Sequence, residues 1–153
     1  KLPTMQLKSI EDNKRIFDEQ LEKCGVDYFD YYLLHCLDVD NYAKVKEFKS
    51  MDFVRQMKAE GKIKKLGFSF HDTAEFLEKI LLEIGEDIEF VQLQINYLDW
   101  ESDSVQSRKC YEVCQKYHKP VIVMEPVKGG KLVNIPQAGI DLLKTQDEKM
   151  CNR

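Results

Sequence analysis

Short apolar runs and amphipathic stretches alternate along this whole chain, and that alternation limits its fold more than any other feature. Tyr28 to Leu34, Ile63 to Phe68, Ile88 to Ile95 and Val121 to Met124 are too short for helices and read as buried strands. Helical patterns lie between them. Ile10 to Cys24 puts Ile10, Phe17, Leu21 and Cys24 on one stripe, with Ser9 as the expected N-cap and Gly25 after the last turn. Val45 to Glu60 aligns Phe48, Met51, Val54 and Met57 and stops at Gly61. Thr73 to Ile84 is expected to be capped by Asp72, with Glu75 completing a capping box, and Val105 to Tyr117 closes ahead of Pro120. Strands recur about every thirty residues, the size of a βα unit, so the predicted class is α/β with a parallel sheet.

Two parallel architectures compete. A doubly wound dinucleotide-binding fold carries Gly-x-Gly-x-x-Gly after its first strand, and that motif is absent. A (β/α)8 barrel takes about 250 residues, so a chain of 153 residues would hold only part of a TIM barrel. The pattern alone leaves the barrel slightly ahead. The chain opens on Lys1-Leu2-Pro3 and closes on a polar stretch, Lys144 to Arg153, which fits a piece of a longer protein. We expect residues 1–135 to be the central part of the barrel and residues 136–153 a polar helix or tail.

Composition removes several function classes. No apolar run reaches the ~18 residues of a membrane span, and 27 acidic against 23 basic residues, spread evenly, do not make the basic stripe of a nucleic-acid binder. The five cysteines have no framework spacing, and no signal-peptide pattern is present, which points to a reducing, cytoplasmic setting. Cys110 and Cys114 share a helix face and read as small buried hydrophobes.

The strand ends carry the chemistry. Each run is apolar until its C-terminal end, where a polar group follows: His35, then Ser69 and His71, then Gln94 and Asn96, then Glu125. In parallel α/β folds ligands bind at that edge, because the βα loops converge there. His35 directly follows Leu33-Leu34 and is the leading single candidate, since an imidazole at a strand mouth can donate to a carbonyl or exchange protons near neutral pH. His71 reads as a loop residue and His118 as surface. After the fourth strand, Lys128-Gly129-Gly130-Lys131 pairs flexible backbone with positive charge, a combination that suits a phosphate. A metal-dependent hydrolase built on His35, Asp38 and His71 is a third reading of the same edge.

Taken together, four segments resemble the aldo-keto reductases. Asp27 to His35 is similar to the family strand that ends in its active-site histidine, and Gly61-Lys62-Ile63-Lys64-Lys65-Leu66-Gly67-Phe68-Ser69 to its "GKIRxIGxS" segment. Val91 to Tyr97 is similar to its "Q-x-x-Y-N" strand, and Val123-Met124-Glu125-Pro126-Val127 stands where the family has "AYSPL". Phe70-His71 and Trp100 are most like the bacterial subgroup that carries a C-terminal ferredoxin-like domain. The resemblance implies a (β/α)8 barrel that reduces a small carbonyl substrate with NADP(H), with an iron–sulfur cluster in a segment beyond this chain. It implies Lys1 as the catalytic lysine, His35 as the group that orients the carbonyl, and Ser69 and Gln94 as holders of the nicotinamide carboxamide. Met124 stands in place of the tyrosine that stacks on the ring, and Lys128, Gly129, Gly130 and Lys131 would face the cofactor phosphates. The family's acid tyrosine and its aspartate precede the lysine strand, so the piece alone is expected to be catalytically silent. Unpaired sheet edges give it a tendency to self-associate. A cofactor-binding or regulatory module without turnover is the alternative, favoured by Phe70 in place of the family asparagine and by Met124.

Overall fold

The computed structural model describes residues 1–146. Its centre is a sheet of four parallel strands, β1 (Phe29–Leu37), β2 (Ile63–Phe70), β3 (Phe90–Gln94) and β4 (Val121–Met124), adjacent in chain order. Helices fill every connection: α1 (Glu11–Cys24) precedes β1, α2 (Val39–Glu47) and α3 (Ser50–Ala59) lead to β2, α4 (Ala74–Ile84) to β3 and α5 (Ser107–Lys116) to β4. A last helix, α6 (Gln137–Gln146), follows β4. Right-handed crossovers between sequential neighbours put the connecting helices on one side of the sheet. A doubly wound fold reverses its order and uses both sides, so this order is the winding of a barrel.

The core lies between sheet and helices. Tyr32, Leu34, Phe68, Val91 and Leu93 point into it from the strands and meet Phe17, Val54, Leu77, Ile80 and Cys114 from the helices, all at most 2 % exposed. The alternate strand positions make a second, open face with Tyr31, Leu33, Lys65, Gly67, Phe90 and Gln92. Gly67 is required there. A Cβ at this position would stand 2.5 Å from the Phe90 carbonyl oxygen and 2.6 Å from its ring, which lies across the face.

Two sequence expectations change. The helix expected from Val45 to Glu60 is two helices, because Asp38 caps α2 early by accepting from the Asn41 N–H at 2.7 Å and Lys49 turns left-handed at φ 52°. Buried Asn13 of α1 takes the Phe48 carbonyl that this break frees, at 2.8 Å. The caps also shift. Thr73, not Asp72, accepts from the Phe76 N–H to start α4, and α1 begins after Ile10 with Asp12 reaching back to the Lys8 and Ser9 N–H groups.

β1 carries one bulge. Leu34 pairs with Phe68 and Leu37 with Phe70, so three steps on β1 match two on β2. The extra residue lets Leu34 and Leu37 both be fully buried, which strict alternation forbids.

Candidate active site

The rim where the strands end is assembled from side chains that the sheet brings together from far apart in sequence. Lys1 enters through its backbone. Leu2 bridges Leu34 in parallel, donating its N–H to the Leu33 carbonyl and accepting from the His35 N–H, both at 2.9 Å. The Gln20 amide donates to the Lys1 carbonyl at 2.8 Å and is itself held by the Tyr32 hydroxyl at 2.7 Å. Residue 1 is thereby fixed beside β1, and its side chain crosses the open face to donate to Gln92 Oε1 at 2.6 Å.

His35 lies in the field of that lysine. Loss of solvation first, then Lys1, then the α-amino group and His71, hold its imidazole below the ordinary value, so the ring is neutral at pH 7. His71 is lowered by the same two leading causes, with Asp38 opposing. The two histidines and Lys1 thus form one electrostatic cluster at the ends of β1 and β2.

Register decides which glutamine belongs with it. Ser69 pairs with Gln92, and Gln94 pairs with Met124 one layer further along. Gln92, not Gln94, meets Lys1. The signal available in the sequence was alternation counted from Ser69 across the strand pair, which singles out Gln92 only once the register is known. Gln94 instead donates to the Asp99 carboxylate at 2.8 Å, joined by Asn96 at the same distance.

Asp99 organises the other half of the rim. It is 4 % exposed and also paired with the Lys128 ammonium, which reaches it from the loop after β4. Lys128, then Asn96 and Gln94, hold its carboxyl down at about 2. Asn96 ties the same loop by donating to the Glu125 carbonyl at 3.1 Å. So Lys128, expected to face a phosphate, spends its charge on Asp99 here. Gly129, Gly130 and Lys131 are exposed, with left-handed backbone at both glycines, while the N–H groups of Lys128, Gly130 and Lys131 donate inside the loop. Met124 is half-buried at the end of β4, and Phe70 is packed against Phe68 and Phe76 in the core, turned from the open face.

The metal-centred arrangement is not formed. Among the described residues no three His, Cys, Asp or Glu side chains gather about one point. Asp38 and Asp72 are committed to backbone N–H groups at the helix starts. Cys110 and Cys114 are buried, with thiols pushed up to about 11 and about 12, as expected of small core residues. His118 is exposed, and Cys151 lies outside the described residues. No helix among the described residues is long and apolar enough to cross a membrane.

Comparison with known proteins gives the same architecture. Solved structures align with most of the chain: an aldo/keto reductase from Brucella melitensis at 21% identity and TM-score 0.62, covering 91% of this chain and 48% of that one. The holo form of an aldo-keto reductase from Bacillus halodurans aligns at 21% identity and TM-score 0.65, covering 86% and 42%. One from Klebsiella pneumoniae in complex with NADPH aligns at 26% and 0.57, covering 78% and 39%. The chain therefore spans about half the length of the solved structures it matches. No curated protein sequence matches it. With a strand order that winds as a barrel, and with the aldo/keto reductase family model matching residues 1–153, the chain belongs to the aldo/keto reductase family.

Proposed function

We propose that residues 1–135 form the middle of a (β/α)8 barrel that reduces an aldehyde or ketone with NADPH, with residues 136–153 as a polar appendage. The observation that carries this reading is the Lys1–Gln92 contact across the open face, with neutral His35 in the field of Lys1 at the C-terminal rim. The NADPH complex of the Klebsiella pneumoniae relative supports the cofactor.

The rim residues fit the nicotinamide end of that cofactor. Lys1 occupies Oε1 of Gln92, which leaves the Gln92 amide N–H groups as donors, and half-buried Met124, one layer further along beside Gln94, offers an apolar surface for a ring. When bound, the cofactor supplies the hydride that goes to the carbonyl carbon. His35, uncharged at pH 7, donates to the carbonyl oxygen and fixes its direction, and Lys1 lowers the pKa of the acid that protonates it. For the phosphate end, Lys131 is the exposed cation, and Lys128 joins it by exchanging Asp99 for phosphate.

None of the hydrogen bonds made by the described residues' tyrosines involves the Lys1 or His35 side chain; the Tyr32 hydroxyl goes to Gln20 and that of Tyr97 to the Leu132 carbonyl. The 153-residue chain alone is accordingly expected to leave NADPH unoxidised in the presence of an aldehyde. In a longer protein containing this chain, turnover is expected, with His35→Gln lowering kcat about 100-fold or more. Turnover that survives His35→Gln unchanged would refute the assignment. The exposed edge strand β4, with Ile122 and Val123 open to solvent, gives the short chain a route to self-association, read by sedimentation.

A binding module without turnover is favoured by one observation: Phe70 is buried in the core where the family pattern has an asparagine at the cofactor. Quenching of Trp100 by NADPH with no oxidation in the longer protein would select it.

A further inference from the structure

At the end of β1, two residues, His35 and Cys36, stand opposite one position of β2, and Cys36 takes a left-handed φ of 60°. A bulge of this kind loses its ladder partners, so its backbone groups must be met elsewhere. Three side chains meet them. Thr4 Oγ1 donates to the His35 carbonyl at 2.5 Å, Ser69 Oγ accepts from the Cys36 N–H at 2.7 Å, and Asn41 Nδ2 donates to the Cys36 carbonyl at 2.9 Å. Thr4 and Ser69 have no exposed surface and Asn41 is 9 % exposed. They come from three separate segments: the chain start, β2 and α2.

Ser69 is the informative member. It stands on the open face by alternation with Phe68 and Phe70, yet the bulge covers it completely. A hydroxyl so enclosed and already accepting from β1 is placed to hold the bulge. We propose that Ser69 is a positioning residue, which fixes the direction of the His35 imidazole by holding the Cys36 N–H. This deepens the reductase reading and rests on it for its catalytic consequence, though not for its structural one.

The groups facing His35 are Lys1 with its α-amino group from the chain start and His71 from the end of β2. If the bulge relaxes, the imidazole regains solvent and leaves the field of Lys1, and its titration moves up toward the ordinary value. The experiment is NMR on the 153-residue chain: exchange of the Cys36 amide and titration of the His35 ring, in wild type, Ser69→Ala and the near-isosteric Thr4→Val. We expect Cys36 exchange at least tenfold faster in Ser69→Ala, and an upward His35 midpoint in both variants, smaller in Thr4→Val. Wild-type exchange and titration in both would overturn the proposal. So would, in the longer protein, a Ser69→Ala kcat equal to that of wild type; the expected loss in kcat is about tenfold, with its pH profile moving up in step with the His35 midpoint. If the wild-type longer protein reduces no carbonyl while the NMR changes appear, the function reading fails and the positioning role stands.

Discussion

The two halves of the rim are held by different chemistry. At the ends of β1 and β2, neutral side chains cap the backbone of a bulge: Thr4, Ser69 and Asn41 each satisfy one peptide group, and the charges close by, Lys1 with its α-amino group and the Asp38 carboxylate, bond to none of the bulge's peptide groups. At the ends of β3 and β4, a buried carboxylate collects Lys128, Gln94 and Asn96 and binds two loops through charge. Neutral caps contribute about 1 kcal/mol each and depend little on pH. A buried carboxylate costs desolvation and repays it only while ionised and fully partnered. The first half is therefore held by peptide-group hydrogen bonds, and the second by a loop clasped through one ion pair and its amide partners.

A substitution that breaks both halves at once has the largest expected effect. Gly67 sits beneath the Phe90 ring where β2 meets β3, and Gly67→Ala forces a methyl to within 2.5 Å of a backbone oxygen. Backbone cannot swing aside as a side chain can, so the cost is about 3 kcal/mol, read from the urea midpoint. A loss below about 1 kcal/mol would mean that the strands separate easily and the register is soft.

Asp99→Asn separates the halves. At pH 7 it should cost about 2 kcal/mol, since Lys128 loses its partner in a largely enclosed site. The native carboxyl titrates at about 2, below the ordinary value near 3.9. Its stabilisation is therefore complete above pH about 4 and drains away as the pH falls toward 2. The gap between wild type and variant should close over that window. A gap constant with pH would show that Asp99 acts through packing and its amide partners rather than its charge.

The same contrast explains what could be read in advance. Periodicity located all four strands, and β4 runs from Val121 to Met124 as expected. His35 stood out because an apolar run through Leu34 gives way to an imidazole there, although β1 itself continues past the bulge to Leu37. Gln92 did not, because Gln92 and Gln94 look alike in a strand until β2 is laid beside it and Ser69 meets Gln92. Lys128 was legible as a cation near glycines, but its partner is 29 positions away in sequence. The bulge was hidden for the same reason: the parity break from Leu34 to Leu37 has meaning only against Phe68 and Phe70. Local patterns carry elements and charges; pairing between distant segments carries the site.

The smallest effect is the sharpest test of the neutral half. Cys36 holds φ at 60°, which costs a residue with a Cβ roughly 1 kcal/mol or more and glycine almost nothing. Glycine also pays more entropy on folding, and the partly exposed thiol gives up some packing. Cys36→Gly should consequently raise stability by about 0.5 kcal/mol and leave the His35 titration in place, because the capped N–H and carbonyl remain. A drop in the urea midpoint would mean that the Cys36 side chain itself supports the bulge. An unchanged midpoint with a shifted His35 titration would mean that backbone strain, and not only the three caps, sets the direction of the imidazole.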